Sequence, residues 1–593
     1  VESFFNTSIV SAVIFAPLLG ALLLGFIPST EKGQLKVATL ATMIVTFLLS
    51  LWLYASFEVA TPHPQFQFEL KKMWMESLGI SYHVGVDGVA VTLMLLTGFL
   101  GPIVVLAAWN NAGERAKEFC LALLAMQTSM MGTFAALDLV LFFVFWEGVL
   151  IPMYLLIGVF GSSDRVAAAV KFFLYTMFGS MLMLVAMLYL YAKTGAAGGG
   201  GYSFDYTAMA QVGAKLTLSE QGWLFFAFAL AFAIKVPMWP VHTWLPDAHT
   251  EAPAAGSMVL AGVMLKMGTF GFMRYAMPLF PQAALHAAPI LGVLATIGIV
   301  YGSLMCMVQR DMKRLVAYSS VAHLGFVMLG LAALSPQAAT GAVYQMVNHG
   351  ISTGALFLLI GAIYERQHTR KISDFGGLAK IAPLMSVAFL VITFSSIGLP
   401  GTNGFVGEFL ILSGTFVSGF VSQNTLFDGH PAAWATLSAI STTGVILGAA
   451  YMLYLVQRVW FGPAGNPRND HMPDLNVREL FAVVPLVLTA VLMGIFPQPF
   501  IDRIKPVSNE YATRVIAPER AQMARAAEEA PGVPPVPGMP GAPGTPGMPP
   551  GMIRMMPANP GGSTVPVQQP PRPVILPPNV RPLMPPGGVR KNP

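Results

Sequence analysis

Apolar runs of membrane-spanning length recur throughout the sequence and dictate what it can fold into. A helix needs roughly 20 mostly apolar residues to cross a bilayer. Such runs begin near Ser8, Leu35, Gly85, Lys117, Leu137, Ala167, Trp223, Pro253, Ala287, Met312, Gly341, Pro383, Trp434 and Leu480. They are too long for strands and lack period-2 alternation. The expected fold is an all-α polytopic membrane protein of about 14 transmembrane helices. Composition supports this: 10% of residues are charged, where a soluble domain carries roughly 25%. A soluble globular protein, a secreted disulfide scaffold and a nucleic-acid binder are therefore excluded. Cys120 and Cys306 lie in separate apolar runs and suggest neither zinc nor a disulfide framework. The first run has no basic segment before it and no small-residue cleavage site, so it reads as a retained helix.

Fourteen spans place both ends of the chain on one side. The loops of one face hold sixteen lysines and arginines, from Lys32 to Arg478; the other face holds five, Lys71, Lys72, Lys193, Lys215 and Arg274. The richer face is expected to be cytoplasmic, which puts both termini outside, in the periplasm of a bacterium. Residues 1–505 form the expected membrane domain, 506–530 a polar connector and 531–593 a disordered Pro/Gly-rich tail. The formal net charge of +5 lies in that tail, which holds Arg554, Arg572, Arg581, Arg590 and Lys591 and no acid. The glycine-rich stretch Gly195–Gly201 follows no strand and reads as a loop, not a phosphate cradle.

Inside the apolar runs stand Glu147, Lys235, Lys266 and Glu408. A charge at the centre of a membrane helix costs roughly 2.5–3.5 kcal/mol or more, so each is a functional candidate; the alternative is a static ion pair or a snorkelling side chain. Proline sharpens the case. Pro152 has no N–H for the Gly148 carbonyl beside Glu147. Pro237 and Pro240 free the carbonyls of Ala233 and Val236 around Lys235. Pro400 and four glycines interrupt Ser396–Glu408. Broken backbone at membrane depth survives only inside protein or beside water. The breaks fall in spans seven and twelve, a spacing that suggests two inverted five-helix repeats, about 117–277 and 287–458.

His323 and His349 add groups that exchange protons near neutral pH; the alternative for each is a hydrogen-bonded packing residue. His242 and His249 read as loop-fixing residues and not as metal ligands. In chain order the membrane thus carries Glu147, Lys235, Lys266, His323, His349 and Glu408, all able to bind and release protons. Burial disfavours a lysine's charged form and a nearby carboxylate favours it. A separable Glu147–Lys235 pair would therefore switch the lysine between holding and releasing a proton. A sodium route would want several oxygen ligands at one site, and the sequence shows no acidic cluster.

The runs Phe145-Trp146-Glu147-Gly148, Lys235-Val236-Pro237-Met238-Trp239-Pro240-Val241-His242-Thr243-Trp244-Leu245-Pro246-Asp247-Ala248-His249 and Gly398-Leu399-Pro400-Gly401 resemble the antiporter-like membrane subunits of respiratory complex I. The likeness covers roughly Ser8 to Arg503. Glu408 stands where chains L and N of that family carry lysine, which resembles the chain M branch, as does the absence of the long lateral helix of chain L. The resemblance implies fourteen helices in two inverted repeats. It implies no cofactor in this chain, with FMN, iron–sulfur clusters and quinone in partner subunits. The partners would be other membrane-arm subunits, especially chains L and N, together with membrane lipid. Redox chemistry elsewhere would drive protons here: Glu147 pairing with Lys235 in the first half-channel, Lys266 passing the proton along a hydrated axis past His323, and Glu408 serving the second half-channel. Asp138 is a weaker candidate, equally suited to capping. The rival expectations are a subunit of a Mrp-type cation/proton antiporter and a spacer that conducts nothing.

Overall fold

The computed structural model describes residues 2–59, 65–110, 113–196, 201–421, 432–463 and 469–529. The tail, and most of the glycine-rich stretch, lie outside the described residues.

Helices carry most of the described residues. The first two, α1 (Glu2–Gly25) and α2 (Lys32–Ser56), are followed by a hairpin, β1 (Gln67–Met75) and β2 (Ile80–Val86). Then come α3 (Gly88–Ala107), α4 (Ala116–Ala135), α5 (Leu139–Gly148), α6 (Leu150–Phe160), α7 (Arg165–Ala196), α8 (Tyr206–Gly213), α9 (Leu218–Lys235) and α10 (Trp244–Glu251). The helix α11 (Ala254–Leu279) holds two π-helical stretches. Beyond it lie α12 (Pro281–Met307), α13 (Met312–Ala332), α14 (Pro336–Gln367), α15 (Pro383–Ser396), α16 (Asn403–Val421), α17 (Ala432–Val459), α18 (Val477–Ile495) and α19 (Gln498–Glu529).

Among the described residues, 11 helices are long and apolar enough to cross a membrane. The three other runs named above are α4 and the two interrupted pairs, α9–α10 and α15–α16. Of the spans, α11 and α13 are wholly enclosed and α14 nearly so, while α2, α17 and α18 are mostly uncovered. Lysine, histidine and amide side chains on the enclosed helices therefore meet each other and not lipid.

Capping starts several helices where the sequence supplies the right oxygen. The Asp138 carboxylate accepts from the Val140 and Leu141 amides at the start of α5, and its other oxygen accepts from the Ser81 amide and hydroxyl of β2. Asp138 is thus both a cap and a tie to the hairpin. Thr217 with Glu220, and Asn476 with Glu479, form reciprocal capping boxes on α9 and α18.

Three features of the structure go beyond the expectations. The stretch 506–530 is helical as far as Glu529, within the 32-residue α19. Ile504, Ser508, Tyr511, Ala512, Val515 and Ile516 are buried at helical spacing, a pattern that low overall hydropathy conceals. Arg274, counted as a loop cation, is buried in the second π-helical stretch and paired with Asp87. The hairpin was not expected: β1 pairs with β2 antiparallel, and Gly79 turns the chain at φ +64, a conformation suited to glycine.

Candidate functional site

The two interrupted helices set the ends of the site. At the first, α9 stops at Lys235 because Pro237 cannot continue the ladder. The Ala233 carbonyl, expected to be left open, accepts from the Met238 amide at 2.9 Å, and the Ile234 carbonyl accepts from the Trp244 indole at 2.9 Å. The break is therefore stitched, not frayed. At the second, α15 ends at Ser396 and α16 begins at Asn403. Between them Gly398 and Gly401 have φ of +70 and +92. The Ser395 hydroxyl donates to the Asn403 side chain at 2.5 Å, and the Asn403 carbonyl accepts from the Asn348 amide of α14 at 2.7 Å.

Between these breaks runs a row of polar side chains. Lys266 lies on α11 just past its first π-helical stretch, Leu260–Met264, and is fully buried. Its ammonium donates to the Ala261 carbonyl and stands 2.7 Å from His349 Nδ1. With the lysine as donor, Nδ1 must accept, so a neutral His349 carries its proton on Nε2. The His349 and His323 rings follow, with centroids 5.7 Å apart. His323 Nε2 is 3.4 Å from the Ser396 hydroxyl, at the end of α15. His323 Nδ1 is 3.4 Å from Glu408 Oε1, close enough for an ion pair though not aligned as a hydrogen bond. Glu408 Oε1 accepts from the Gln345 amide at 3.3 Å, and the Gln345 carbonyl accepts from Asn348 at 3.0 Å. Four of the six expected residues, Lys266, His349, His323 and Glu408, are thus brought together.

The other two stand at the first break. Lys235 is 2% exposed and Glu147 is half-buried at the end of α5. Among the described residues no ion pair within 4.0 Å joins them: the expected contact is absent, because the lysine lies over the ring of Trp146, at 4.7 Å from its centroid. Glu147 is near enough for its charge to act on the lysine through space. The turn carrying Lys235 touches α11 directly. A Cβ at Gly268 would fall 2.8 Å from the Phe232 carbonyl and 2.9 Å from the Val236 amide, so glycine there sets how closely the two lysine-bearing helices approach.

Sequence reasoning passed over several polar groups here. Gln345, Asn348, Asn403 and Ser396 carry no charge, so nothing marks them in a hydropathy scan. Tyr451, with Ser303 and Ser396, lines a small cavity shared with His323 and Glu408. His249, read as loop-fixing, is fully buried, stacked on Phe357 at 4.7 Å, and both its ring nitrogens lack partners among the described residues. His242 packs edge-on against Tyr301 at 5.2 Å. Among the described residues no group of three or more His, Cys, Asp or Glu side chains could hold a metal.

A buried row of lysine, histidine and glutamate strung between two broken helices is a recognisable arrangement. Residues 136–426 match the family model described as NADH:quinone oxidoreductase/Mrp antiporter, transmembrane. The NADH-quinone oxidoreductase subunit M of Rhodobacter capsulatus is 44% identical over 508 residues, 84% of this chain and 95% of the relative. The chain belongs to the subunit M family of NADH:quinone oxidoreductase. Members reach into plants: the NADH-ubiquinone oxidoreductase chain 4 of Arabidopsis thaliana is 41% identical over 507 residues, 84% of this chain and 96% of the relative. A chain in the structure of respiratory complex I from Thermus thermophilus with bound NADH superposes with a TM-score of 0.74 at 31% identity, covering 85% of this chain and 99% of that one. The chain is thus matched in sequence and in fold across nearly the whole length of these relatives.

Proposed function

We propose that this chain moves protons through the membrane arm of NADH:quinone oxidoreductase and carries no redox centre of its own. The observation that carries this is the row Lys266–His349–His323–Glu408, in which groups able to exchange protons follow one another inside the protein. A proton added to Glu408 weakens its pull on His323, and a proton on His349 repels the Lys266 ammonium, so charge at one end is felt at the next. Lys235 stands at the first break, whose turn packs against α11, and Glu147 lies at the end of α5. FMN, iron–sulfur clusters and quinone belong to partner subunits in this reading, and the energy reaches this chain from their redox steps.

The chain is a multi-pass membrane protein of a respiratory complex. We place it in the bacterial inner membrane with the cation-rich loops cytoplasmic and both ends of the membrane domain periplasmic. Eleven long apolar helices with α4, α9–α10 and α15–α16 make fourteen spans, arranged as two inverted five-helix repeats at about 117–277 and 287–458, each holding one break. Its neighbours are other membrane-arm subunits, among them chains L and N.

The test is made in the assembled complex in membrane vesicles. Replacing Lys266→Met or Glu408→Gln should abolish most proton movement per NADH, while NADH oxidation by an artificial electron acceptor and the amount of assembled complex stay near normal. Full pumping in both variants would sink the proposal. The family model also embraces Mrp antiporters, and co-purification separates that reading: partners bearing flavin and iron–sulfur centres support ours, whereas only small membrane partners overturn it.

A further inference from the structure

Lys235 has an aromatic partner where an acidic one was expected. Its ammonium stands 4.7 Å from the centroid of the Trp146 ring, and both side chains are almost wholly buried. Among the described residues no hydrogen bond or ion pair within 4.0 Å engages that ammonium. The ring, by contrast, is held on every side. Its indole N–H donates to the Ser180 hydroxyl at 3.0 Å, and that hydroxyl donates to the Thr176 carbonyl at 2.9 Å. Phe232 meets it edge-on at 5.3 Å and Phe142 flanks it at 5.6 Å. So much bracing fixes the plane of the indole, and with it the one spot over its face where a cation is attracted.

An indole presents the most negative face among the aromatic side chains, and it attracts an ammonium most strongly where water is excluded. A neutral amine feels no such pull. A carboxylate at contact distance would bind the ammonium too, but would also compete for its proton.

We propose that Trp146 is a positioning residue that holds the protonated Lys235 beside Glu147 but out of contact with it, so that the lysine can swing to the carboxylate or give up its proton inward. This rests on the proton-transfer reading above. When Lys235 carries a proton, the indole face is its berth. Once the proton has gone, nothing keeps the side chain there, and it is free to turn towards α11.

The experiment uses the assembled complex in vesicles and reads protons moved per NADH, with acceptor-linked NADH oxidation as the measure of assembly. Trp146 is replaced site-specifically by tryptophans bearing one, two and three ring fluorines, which drain the negative face with little change of shape. Trp146→Phe and Trp146→Leu extend the series. Proton movement should fall stepwise with each fluorine, stay above half in Trp146→Phe, and drop roughly ten-fold in Trp146→Leu. A flat fluorine series would overturn the proposal and leave the ring a packing role. Lys235→Met separates the two levels. If it pumps normally, the proton-transfer reading of this end fails. If it does not pump while the fluorine series is flat, only the holding role fails.

Discussion

At the scale of single residues, glycine decides where the Glu408 carboxylate can stand. A Cβ at Gly398 would fall 2.6 Å from Glu408 Oε2, and φ there is +70. Gly398→Ala should therefore cost about 1–2 kcal/mol of backbone strain and push the carboxylate off His323. We expect proton movement to fall several-fold with assembly largely kept; unchanged pumping would show that the carboxylate does not need that place. Gln345 tests the amide network. Gln345→Leu removes a donor to Glu408 and an acceptor for Asn348, and a buried polar group so orphaned costs about 1–3 kcal/mol. A thermal-unfolding scan of the purified complex should show a lowered midpoint. The charges of this site were legible because a lysine or glutamate in an apolar run has no inexpensive explanation. Its amides and hydroxyls were not, because polarity without charge is common in packed helices. The Trp146 contact was illegible for another reason: sequence places the ring and the cation of the pair on different helices and says nothing of how those helices face.

At the scale of elements, the unforeseen hairpin is tied down by charge. His83 of β2 bonds Asp205 at 2.8 Å through Nδ1 and Glu69 of β1 at 2.9 Å through Nε2, and Lys71 of β1 reaches Asp205 at 2.6 Å. Burial pushes the His83 pKa down, but the hydrogen bonds and charges of Asp205 and Glu69 outweigh it and leave it raised. Burial likewise pushes Asp205 up, and His83, Lys71 and Thr207 more than reverse this, holding it low. The signs define a window. The raised histidine stabilises fully below its ordinary value of 6.5 and loses that contribution as pH climbs through its folded value. The depressed aspartate contributes above its ordinary 3.8 and loses the contribution as pH falls. The clasp should weaken on the alkaline side, so the stability gap between wild type and His83→Gln should narrow as pH rises from about 6 to about 9. A constant gap would contradict it. A second element, α19, is pinned by the Tyr511 hydroxyl, which donates to the Leu331 carbonyl at 2.9 Å. Tyr511→Phe should cost about 1 kcal/mol, read as lower resistance of the C-terminal helix to limited proteolysis. Long apolar spans were plain in the sequence, and so were their interruptions, since proline and glycine act locally. The hairpin and α19 were not, because both draw their stability from tertiary contacts with the spans.

For the whole molecule, one face is incomplete. Glu147 is half-buried, and near it Val144 and Ile151 are 50% and 65% exposed. A carboxylate turned towards lipid carries a cost of several kcal/mol, whereas a protein neighbour can supply polar groups to it. Membrane-arm partners should therefore cover this face of α5–α6. A cysteine placed at Val144 should be shielded from a membrane-permeant maleimide in the assembled complex and modified in the chain expressed without its partners. Equal labelling would mean that lipid borders the face. The fold class and the positions of the breaks could be read from charge, proline and apolar length, and the family from the likeness of three motifs. The row itself could not, because it depends on how α11, α13, α14 and α16 stack, and no local signal encodes that.

The π-helical turns of α11 have a consequence for how its sequence should be read. Each behaves as one residue inserted into an α-helix, and one residue corresponds to about 100° of rotation. The stretches Leu260–Met264 and Phe272–Ala276 therefore reset the helix's reading frame twice between Val259 and Met277. Lys266 belongs to the middle frame and Arg274 to the second stretch itself, so a single helical wheel drawn through all three segments misassigns the faces of the residues that matter. Holding the first stretch to ordinary α-helical turns without removing a residue would leave every side chain chemically intact and turn Lys266 by about a quarter of a circle away from His349.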